Sequence, residues 1–308
     1  MKQGWSAHCF CCLEEEGAVE LSKCGCKCTT MFACAPCIWK VTSEQKLLEF
    51  DSVTCTVCLE FFSDEVVLTG CKHAQHSVAA LPRTLEARAD VESEVLETMM
   101  RMSTVEPAFE YADEVCKQYE QALGEKHGTT AHFKYLMGKV LYKTENFQGA
   151  INLFNQVVYI QEALVQQRNV EKATEEDRYR LLCMYRTKAM IAVSLFQIYE
   201  MDGKVENETE SEFSEVLAGM RALVGERHAD YMGVASNLAS FLAVRTMREC
   251  SGGAHDRPRT RQQHALLTRA LAAVEHALET CRGVYGATNP VRRALLEDHA
   301  VLRAMESA

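Results

Sequence analysis

The cysteines near the start of the chain are the residues best suited to do chemistry. Four pairs of thiols follow one another, with one or two residues between the members of each pair. Such a gap allows a tight turn to bring both sulfur atoms onto one metal ion. Eight thiolates complete two tetrahedral sites with no open position, and closed cysteine sites bind structural zinc. The pairs are Cys9 and Cys12, Cys24 and Cys26, Cys34 and Cys37, and Cys55 and Cys58.

The distribution of cysteine favours metal binding over a disulfide framework. Eleven of the 15 cysteines lie between Cys9 and Cys71. Disulfides need an oxidising compartment, and residues 1–8 lack the apolar stretch of a secretion signal. We therefore predict two Zn²⁺ ions, whose binding contributes roughly 10–16 kcal/mol in small peptides and replaces an apolar core. The later cysteines are expected to be buried as small apolar side chains: Cys116, Cys183, Cys250 and Cys281.

Composition narrows the class of protein. Hydrophobic residues make up 47% of the 308 and charged residues 25%, as in ordinary globular chains. A formal net charge of -10 argues against nucleic-acid binding by the whole chain. No run of 18 apolar residues occurs, so no membrane span is expected. We expect a cytoplasmic protein, with the nucleus left open. Glycine-rich phosphate loops, nucleophile elbows and helical His-Glu-x-x-His motifs are absent, so no catalytic residue is predicted.

The sequence pattern changes near residue 85, after the cysteine-rich segment. From there onward cysteine becomes rare and apolar residues recur at helical spacing. One such stripe ends at Leu123, and Gly124 stops the helix. Further helices are predicted at about 130–143 and 146–167. The fold class is therefore mainly α. The first stripe comprises Phe109, Ala112, Val115, Cys116, Tyr119 and Leu123.

A turn motif repeats along the helical part. The sequence from Leu123 to His127 is echoed from Val224 to His228, and more weakly from Tyr285 to Pro290. A turn repeated between helices indicates an array of helical hairpins. The longer interval has room for two hairpins, and extra length is predicted in 203–211 and 250–261. At these turns, His127 and His228 are expected to cap helices or face solvent.

One hairpin, at 131–164, follows the tetratricopeptide pattern most closely. Gly138 in its first helix precedes Ala150 in the second, and Phe154 follows four residues later. Small residues allow two helices to cross closely, and the aromatic ring fills the gap behind them. The alternative is an ordinary helical bundle that matches the pattern by chance.

The cysteine spacing resembles the RING-CH, or variant RING, zinc finger. Its members have Cys-x2-Cys, Cys-x-Cys, seven residues, His-x2-Cys and a final Cys-x2-Cys. Here gaps of eleven, seven and seventeen residues separate the four pairs, and an acidic run, 13–17, follows the first pair. The Leu-Gly-x-x-His turn is similar to kinesin-light-chain-type tetratricopeptide repeats. The combination, with Phe61 and Phe62 after the last pair, resembles a group of proteins from single-celled algae.

These resemblances imply an architecture and an activity. A flexible lead, 1–8, would precede a cross-braced zinc module with its connector at 9–76 and a TPR-like array at 85–308. RING-CH domains act as ubiquitin ligases, so the module would engage a ubiquitin-charged conjugating enzyme while the array recruits a protein substrate. The implied enzyme contacts are Phe10, Cys11 and Trp39. The implied ligand sets are Cys9, Cys12, Cys34 and Cys37 on one zinc, and Cys24, Cys26, Cys55 and Cys58 on the other.

Three departures from the family pattern keep a second function open. The family histidine is Cys34, its apolar docking position is Cys11, and its tryptophan position is Val41. A degenerate RING that serves only as an adaptor for protein binding is therefore the alternative to a ligase. A plant-homeodomain-type histone reader is a third interpretation, which the Cys-x-Cys pair disfavours.

The choice of ligands also has alternatives. Cys28 can replace Cys24, because Cys26-x-Cys28 is another pair with one intervening residue. A second frame would join Cys55 and Cys58 to a later cluster and resembles the first half of a different RING type. It needs one more cysteine near Ala79 and a downstream Cys-x2-Cys, and neither is present. In the favoured frame that cluster lies on a connector without metal. It comprises Cys71, His73 and His76.

Overall fold

Helical segments make up most of the described structure. The computed structural model describes residues 18–20, 32–46, 63–102, 105–166, 174–204, 206–251, 260–282 and 289–307. This part of the chain is mainly α-helical and includes one two-stranded sheet. The elements are β1 (Ala18–Glu20), β2 (Phe32–Cys34), α1 (Ala35–Lys46), α2 (Asp64–Val78), α3 (Glu86–Arg101), α4 (Val105–Leu123), α5 (Gly128–Lys143), α6 (Phe147–Gln166), α7 (Glu175–Asp202), α8 (Glu206–Leu223), α9 (Ala229–Ser251), α10 (Arg261–Cys281) and α11 (Pro290–Ser307).

The chain divides into two compact units. Unit 1 is Met1–Thr144 and unit 2 is Glu145–Ala308. Unit 1 contains both strands and α1 to α5, whereas unit 2 contains α6 to α11. The sequence-based ranges of 9–76 and 85–308 remain predictions.

Unit 1 begins with a short antiparallel ribbon and two packed helices. Ala18 pairs with Cys34 and Glu20 with Phe32. Helix α1 follows β2 directly, with Pro36 in its first turn, where a missing N–H is tolerated. Helix α2 packs against both α1 and α3. The predicted connector around residues 71–76 is therefore a helix, because its apolar side chains share one buried stripe. The buried residues are Val66, Val67, Gly70, Cys71 and Ala74.

The apolar core of unit 1 joins α3, α4 and α5. Tyr119 of α4 stacks on Phe133 of α5 with ring centroids 4.6 Å apart. Leu96 of α3 and Leu136 of α5 are fully buried in the same cluster. The predicted helices around Tyr119 and after Gly124 are confirmed, with α5 beginning two residues earlier than expected.

The repeated turn has the same geometry at both complete copies. Gly124 and Gly225 have φ values of 89° and 83°, the left-handed conformation that favours glycine. His127 Nδ1 accepts a hydrogen bond from the Thr129 N–H, and His228 Nδ1 accepts one from the Asp230 N–H. The histidines are thus helix caps, as predicted. At the third copy, Asn289 Oδ1 accepts from the Val291 N–H at 2.9 Å.

Unit 2 has an apolar core that runs through α7 to α11. Phe241 of α9 is fully buried, and its ring centroid lies 5.5 Å from that of Phe196 and 5.3 Å from that of Tyr199. The segment 203–211, where the sequence predicts extra length between helical hairpins, is helical from Glu206 onward, where α8 begins. Glu210 accepts a hydrogen bond from Arg245, which stabilises this charged turn as helix.

Helix α7 is long and apolar, although the sequence analysis predicts no membrane span. By length and composition alone, Glu175–Asp202 is one helix that could cross a membrane. Core helices of soluble proteins meet the same criterion. Here α7 packs against α6, α8 and α9 within unit 2, and a capping box formed by Thr174 and Asp177 fixes its start.

Candidate functional site

Of the four predicted thiol pairs, the third lies in the part of the chain that the structure describes. Cys34 is the last residue of β2 and Cys37 is the third residue of α1. Two residues separate these thiols, the gap at which a tight turn can bring two thiolates onto one ion. Cys37 is half-buried. Ligation of zinc by this pair remains a prediction.

The remaining predicted site residues lie outside the described part of the chain. They include the first, second and fourth thiol pairs and two of the three predicted conjugating-enzyme contacts. These assignments remain predictions. The residues are Cys9, Phe10, Cys11, Cys12, Cys24, Cys26, Cys55 and Cys58.

Helix α1 shows three kinds of environment close to Cys37. Ile38 is 1% exposed, whereas Pro36 and Lys40 are exposed. Trp39 and Val41 are half-buried. The predicted enzyme contact Trp39 therefore retains accessible surface, although it neighbours the buried face of the helix.

The alternative ligand cluster does not converge on α2. Cys71 is fully buried, while His73 and His76 are exposed. Because Cys71 and His73 are two residues apart, they lie on different sides of the helix. His76 Nδ1 lies 2.7 Å from the Lys72 carbonyl oxygen. Within the described residues, no group of three His, Cys, Asp or Glu side chains could hold a metal ion.

A polar cluster that the sequence analysis missed fixes the connection between α2 and α3. Arg88 Nη1 donates to the carbonyl oxygens of Ala79 and Leu81 at 2.9 and 2.7 Å. Arg88 Nε donates to Glu92 Oε1 at 3.0 Å. The i, i+4 spacing of Arg88 and Glu92 is the one sequence feature that could have indicated it. The cluster stabilises the connection through a buried ion pair.

Three buried polar atoms in this cluster have no hydrogen-bond partner among the described residues. They are Arg83 Nε, Glu92 Oε2 and the Tyr119 hydroxyl. Burial, followed by the Glu92 carboxylate, raises the pKa of Tyr119 well above its usual range. The phenol is therefore neutral at every physiological pH. A shallow depression of about 530 Å³ lies beside the cluster, with Arg83 and Arg88 in its wall.

The four later cysteines fall into two classes. Cys116 and Cys281 are buried, as predicted, whereas Cys183 and Cys250 are half-buried. Burial raises the pKa of Cys116 to about 11. A thiol with so high a pKa is protonated at neutral pH and is a poor metal ligand. Cys116 therefore contributes to the core rather than to a site.

The residues of the best tetratricopeptide match are buried on their own helices. Gly138 is buried in α5. Ala150 and Phe154 are fully buried in α6. Between the two complete copies of the repeated turn, the described residues form α5, α6, α7 and α8, of which α6 packs on α7 and α7 on α8. The predicted hairpin at 131–164 remains a prediction.

No protein-family model matches the sequence, and no curated protein matches it. Solved structures do. BtubC (BKLC) from P. vanneervenii aligns with a TM-score of 0.51 at 13% identity, over 80% of this chain and 91% of its own. Kinesin light chain TPR-like repeats from Podosopora anserina align with a TM-score of 0.49 at 14% identity, over 71% of this chain and 87% of their own.

The comparison with BtubC bears on fold alone. Together with the repeated turns and paired helices described above, it shows that the helical part of the chain is a TPR-like array. The predicted TPR-like helical array is thus confirmed at the level of fold.

Proposed function

We propose that the chain is a zinc-binding RING-CH ubiquitin-protein ligase. Its N-terminal module engages a ubiquitin-charged conjugating enzyme, and its TPR-like array recruits the protein substrate. The proposed location is the cytoplasm or the nucleus. The array supports the recruiting role because paired helices present long, continuous surfaces to protein partners.

The observation that supports the proposal is the position of the third thiol pair in the fold. Cys34 ends β2, where it pairs with Ala18, and Cys37 lies in the first turn of α1. The assignment of the first and third pairs to one ion, and of the second and fourth pairs to the other, rests on the resemblance to RING-CH domains.

The chain's own residues would act by binding and positioning. Bound zinc would supply rigidity at the thiolates and no reaction step. Cys34 and Cys37 would tie the end of β2 to the start of α1. Trp39, two residues after Cys37, would then be held at a fixed place on α1 to contact the conjugating enzyme. Transfer of ubiquitin would occur from the thioester of that enzyme to a lysine of the substrate.

The test is discharge of ubiquitin from a panel of charged conjugating enzymes by the zinc-loaded full chain. We expect faster discharge with at least one enzyme, and loss of the acceleration in Cys34→Ser. Cys250→Ser is the matched control, since Cys250 is a half-buried thiol on α9 far along the sequence. No acceleration by a chain that holds both zinc ions would overturn the ligase proposal.

A second candidate function is a non-catalytic adaptor with a degenerate RING. The half-buried Val41 at the family's tryptophan position, beside the covered Ile38, favours it. An adaptor would bind zinc and a protein partner without accelerating discharge. The same assay therefore separates the two functions.

A further inference from the structure

Helices α1 and α2 cross unusually closely at Gly70. A methyl group at Gly70 would lie 2.8 Å from Ile38 Cγ2 and 2.9 Å from the Trp39 backbone nitrogen. Contacts below 3.0 Å do not occur for real Cβ atoms, and one of these two atoms belongs to the main chain. Only glycine fits at this crossing without movement of one helix.

The crossing lies directly beside the candidate metal centre. Ile38 and Trp39 are the two residues that follow Cys37 on α1. Ile38 is 1% exposed, so its side chain is enclosed where the helices meet. A displacement of α1 at Ile38 would move Cys37 as well, since neighbouring residues of a helix move together.

Helix α2 in turn contacts the helices that follow it. Asp64 at its start accepts a hydrogen bond from Arg101 Nε of α3 at 2.9 Å. Gln75 near its end donates to the Tyr111 hydroxyl of α4 at 2.9 Å. The side chains between these contacts form the buried stripe of α2. Helix α2 is thus the element that joins α1 to the helical core of unit 1.

We propose that Gly70 is a positioning residue for the zinc site, and that zinc binding is coupled to the order of α2. The inference rests on the proposed zinc module. A ligand that binds only the folded form stabilises the helices that must be packed in that form. Such coupling is reciprocal, so the factor by which zinc favours the packing of α2 on α1 equals the factor by which that packing favours zinc binding. Poorer packing of α2 on α1 must therefore weaken metal binding.

The first experiment titrates Co²⁺ into the metal-free full chain and records thiolate-to-cobalt absorption. We expect Gly70→Ala to weaken Co²⁺ binding by about tenfold, the usual size of a supporting-shell effect, and to alter the absorption band. Gly233→Ala is the matched control, since a methyl group at Gly233 of α9 meets no atom within 4 Å. A merely structural substitution elsewhere would leave the cobalt spectrum unchanged.

The second experiment needs no variant and follows amide hydrogen exchange of the full chain with and without a zinc chelator. We expect chelation to remove protection from α2, and to leave α9 protected. Unchanged protection of α2, or equal Co²⁺ affinities of Gly70→Ala and the unmodified chain, would overturn the coupling while leaving the zinc module intact. Failure of the unmodified chain to bind either metal would instead overturn the proposed function.

Discussion

The described residues of both units include buried hydroxyl side chains, but the buried carboxylates among them lie in unit 1 alone. Among the described residues, unit 1 buries the carboxylates of Glu92 and Glu94. Each of these side chains is 5% exposed, and each lies close to an arginine. Unit 2 buries hydroxyl side chains, and these mostly donate to the carbonyl oxygen four residues earlier on the same helix. These hydrogen bonds run from Thr187 to Cys183, Ser194 to Met190, Ser236 to Met232 and Thr246 to Leu242.

This difference shows where each unit obtains its stability. A hydroxyl that bonds to its own helix is satisfied as soon as that helix forms. A buried carboxylate depends on partners placed by other turns and helices, and leaving it unpaired is costly. We therefore expect unit 1 to depend more strongly than unit 2 on partners placed by other elements, and under our proposal on zinc.

The largest effect is expected in the apolar core of unit 2. Phe241→Ala removes a fully buried ring that contacts Phe196, Tyr199 and Phe213. We expect a loss of about 3–5 kcal/mol in the free energy of unfolding. Amide exchange within α9 at several denaturant concentrations measures it. Tyr159→Ala, at a position 62% exposed, is the control and should change stability little. Equal effects of the two variants would contradict the packing of α9.

A slightly smaller effect is expected for the buried ion pair of unit 1. Glu92→Ala leaves Arg88, whose side chain is 11% exposed, without its carboxylate. We expect a loss of about 3 kcal/mol, measured by amide exchange in α3. The exposed pair of Lys117 and Asp113 is the matched control, and Asp113→Ala should cost under about 0.5 kcal/mol. If Glu92→Ala leaves the stability measured in α3 unchanged, unit 1 does not depend on this ion pair.

Cys116 should give unit 1 a dependence on alkaline pH. Burial raises its pKa from 9.0 to about 11, so the folded form keeps a proton that the unfolded form loses. The resulting stability is present below pH 9 and is lost as pH rises toward 11. Two pKa units set an upper limit of about 2.7 kcal/mol on this effect, and solvent screening reduces it. In chemical denaturation, the free energy of unfolding should therefore fall less steeply with rising pH in Cys116→Ala than in the unmodified chain. Parallel declines in the two proteins would refute a role for Cys116 in this pH dependence.

The repeated turn should respond alike in the two units. A side chain at Gly124 or Gly225 meets no atom within 4 Å, so alanine there is opposed only by the left-handed backbone. We expect each substitution to cost about 1 kcal/mol. Gly233→Ala, within α9, should instead stabilise by roughly 0.5–1 kcal/mol. Thermal unfolding of the three variants tests this, and unequal effects at the two turns would mean that the copies are not equivalent.

The sequence predicts local features of the fold well. The stop at Gly124, the caps at His127 and His228 and the helices around them depend on a few neighbouring residues, and the structure confirms them. The burial of Gly138, Ala150 and Phe154 likewise follows from a short pattern.

Features set by distant partners were harder to predict. The sequence favours a metal-free connector for Cys71, His73 and His76, yet packing on α1 and α3 makes this segment the helix α2. The sequence also predicts extra length in 203–211, whereas Glu210 lies in α8 and accepts a hydrogen bond from Arg245, 35 residues along the chain. The cluster around Glu92 joins three separate elements. Of the candidate site, only Cys34, Cys37 and Trp39 lie where the structure describes them.

The most direct test of the zinc module is native mass spectrometry of the full chain. The account predicts two zinc ions per chain, with one lost in Cys34→Ser and none lost in Cys250→Ser. A chain without zinc, or a Cys34→Ser variant that retains both ions, would contradict the assignment of Cys34 to a metal centre.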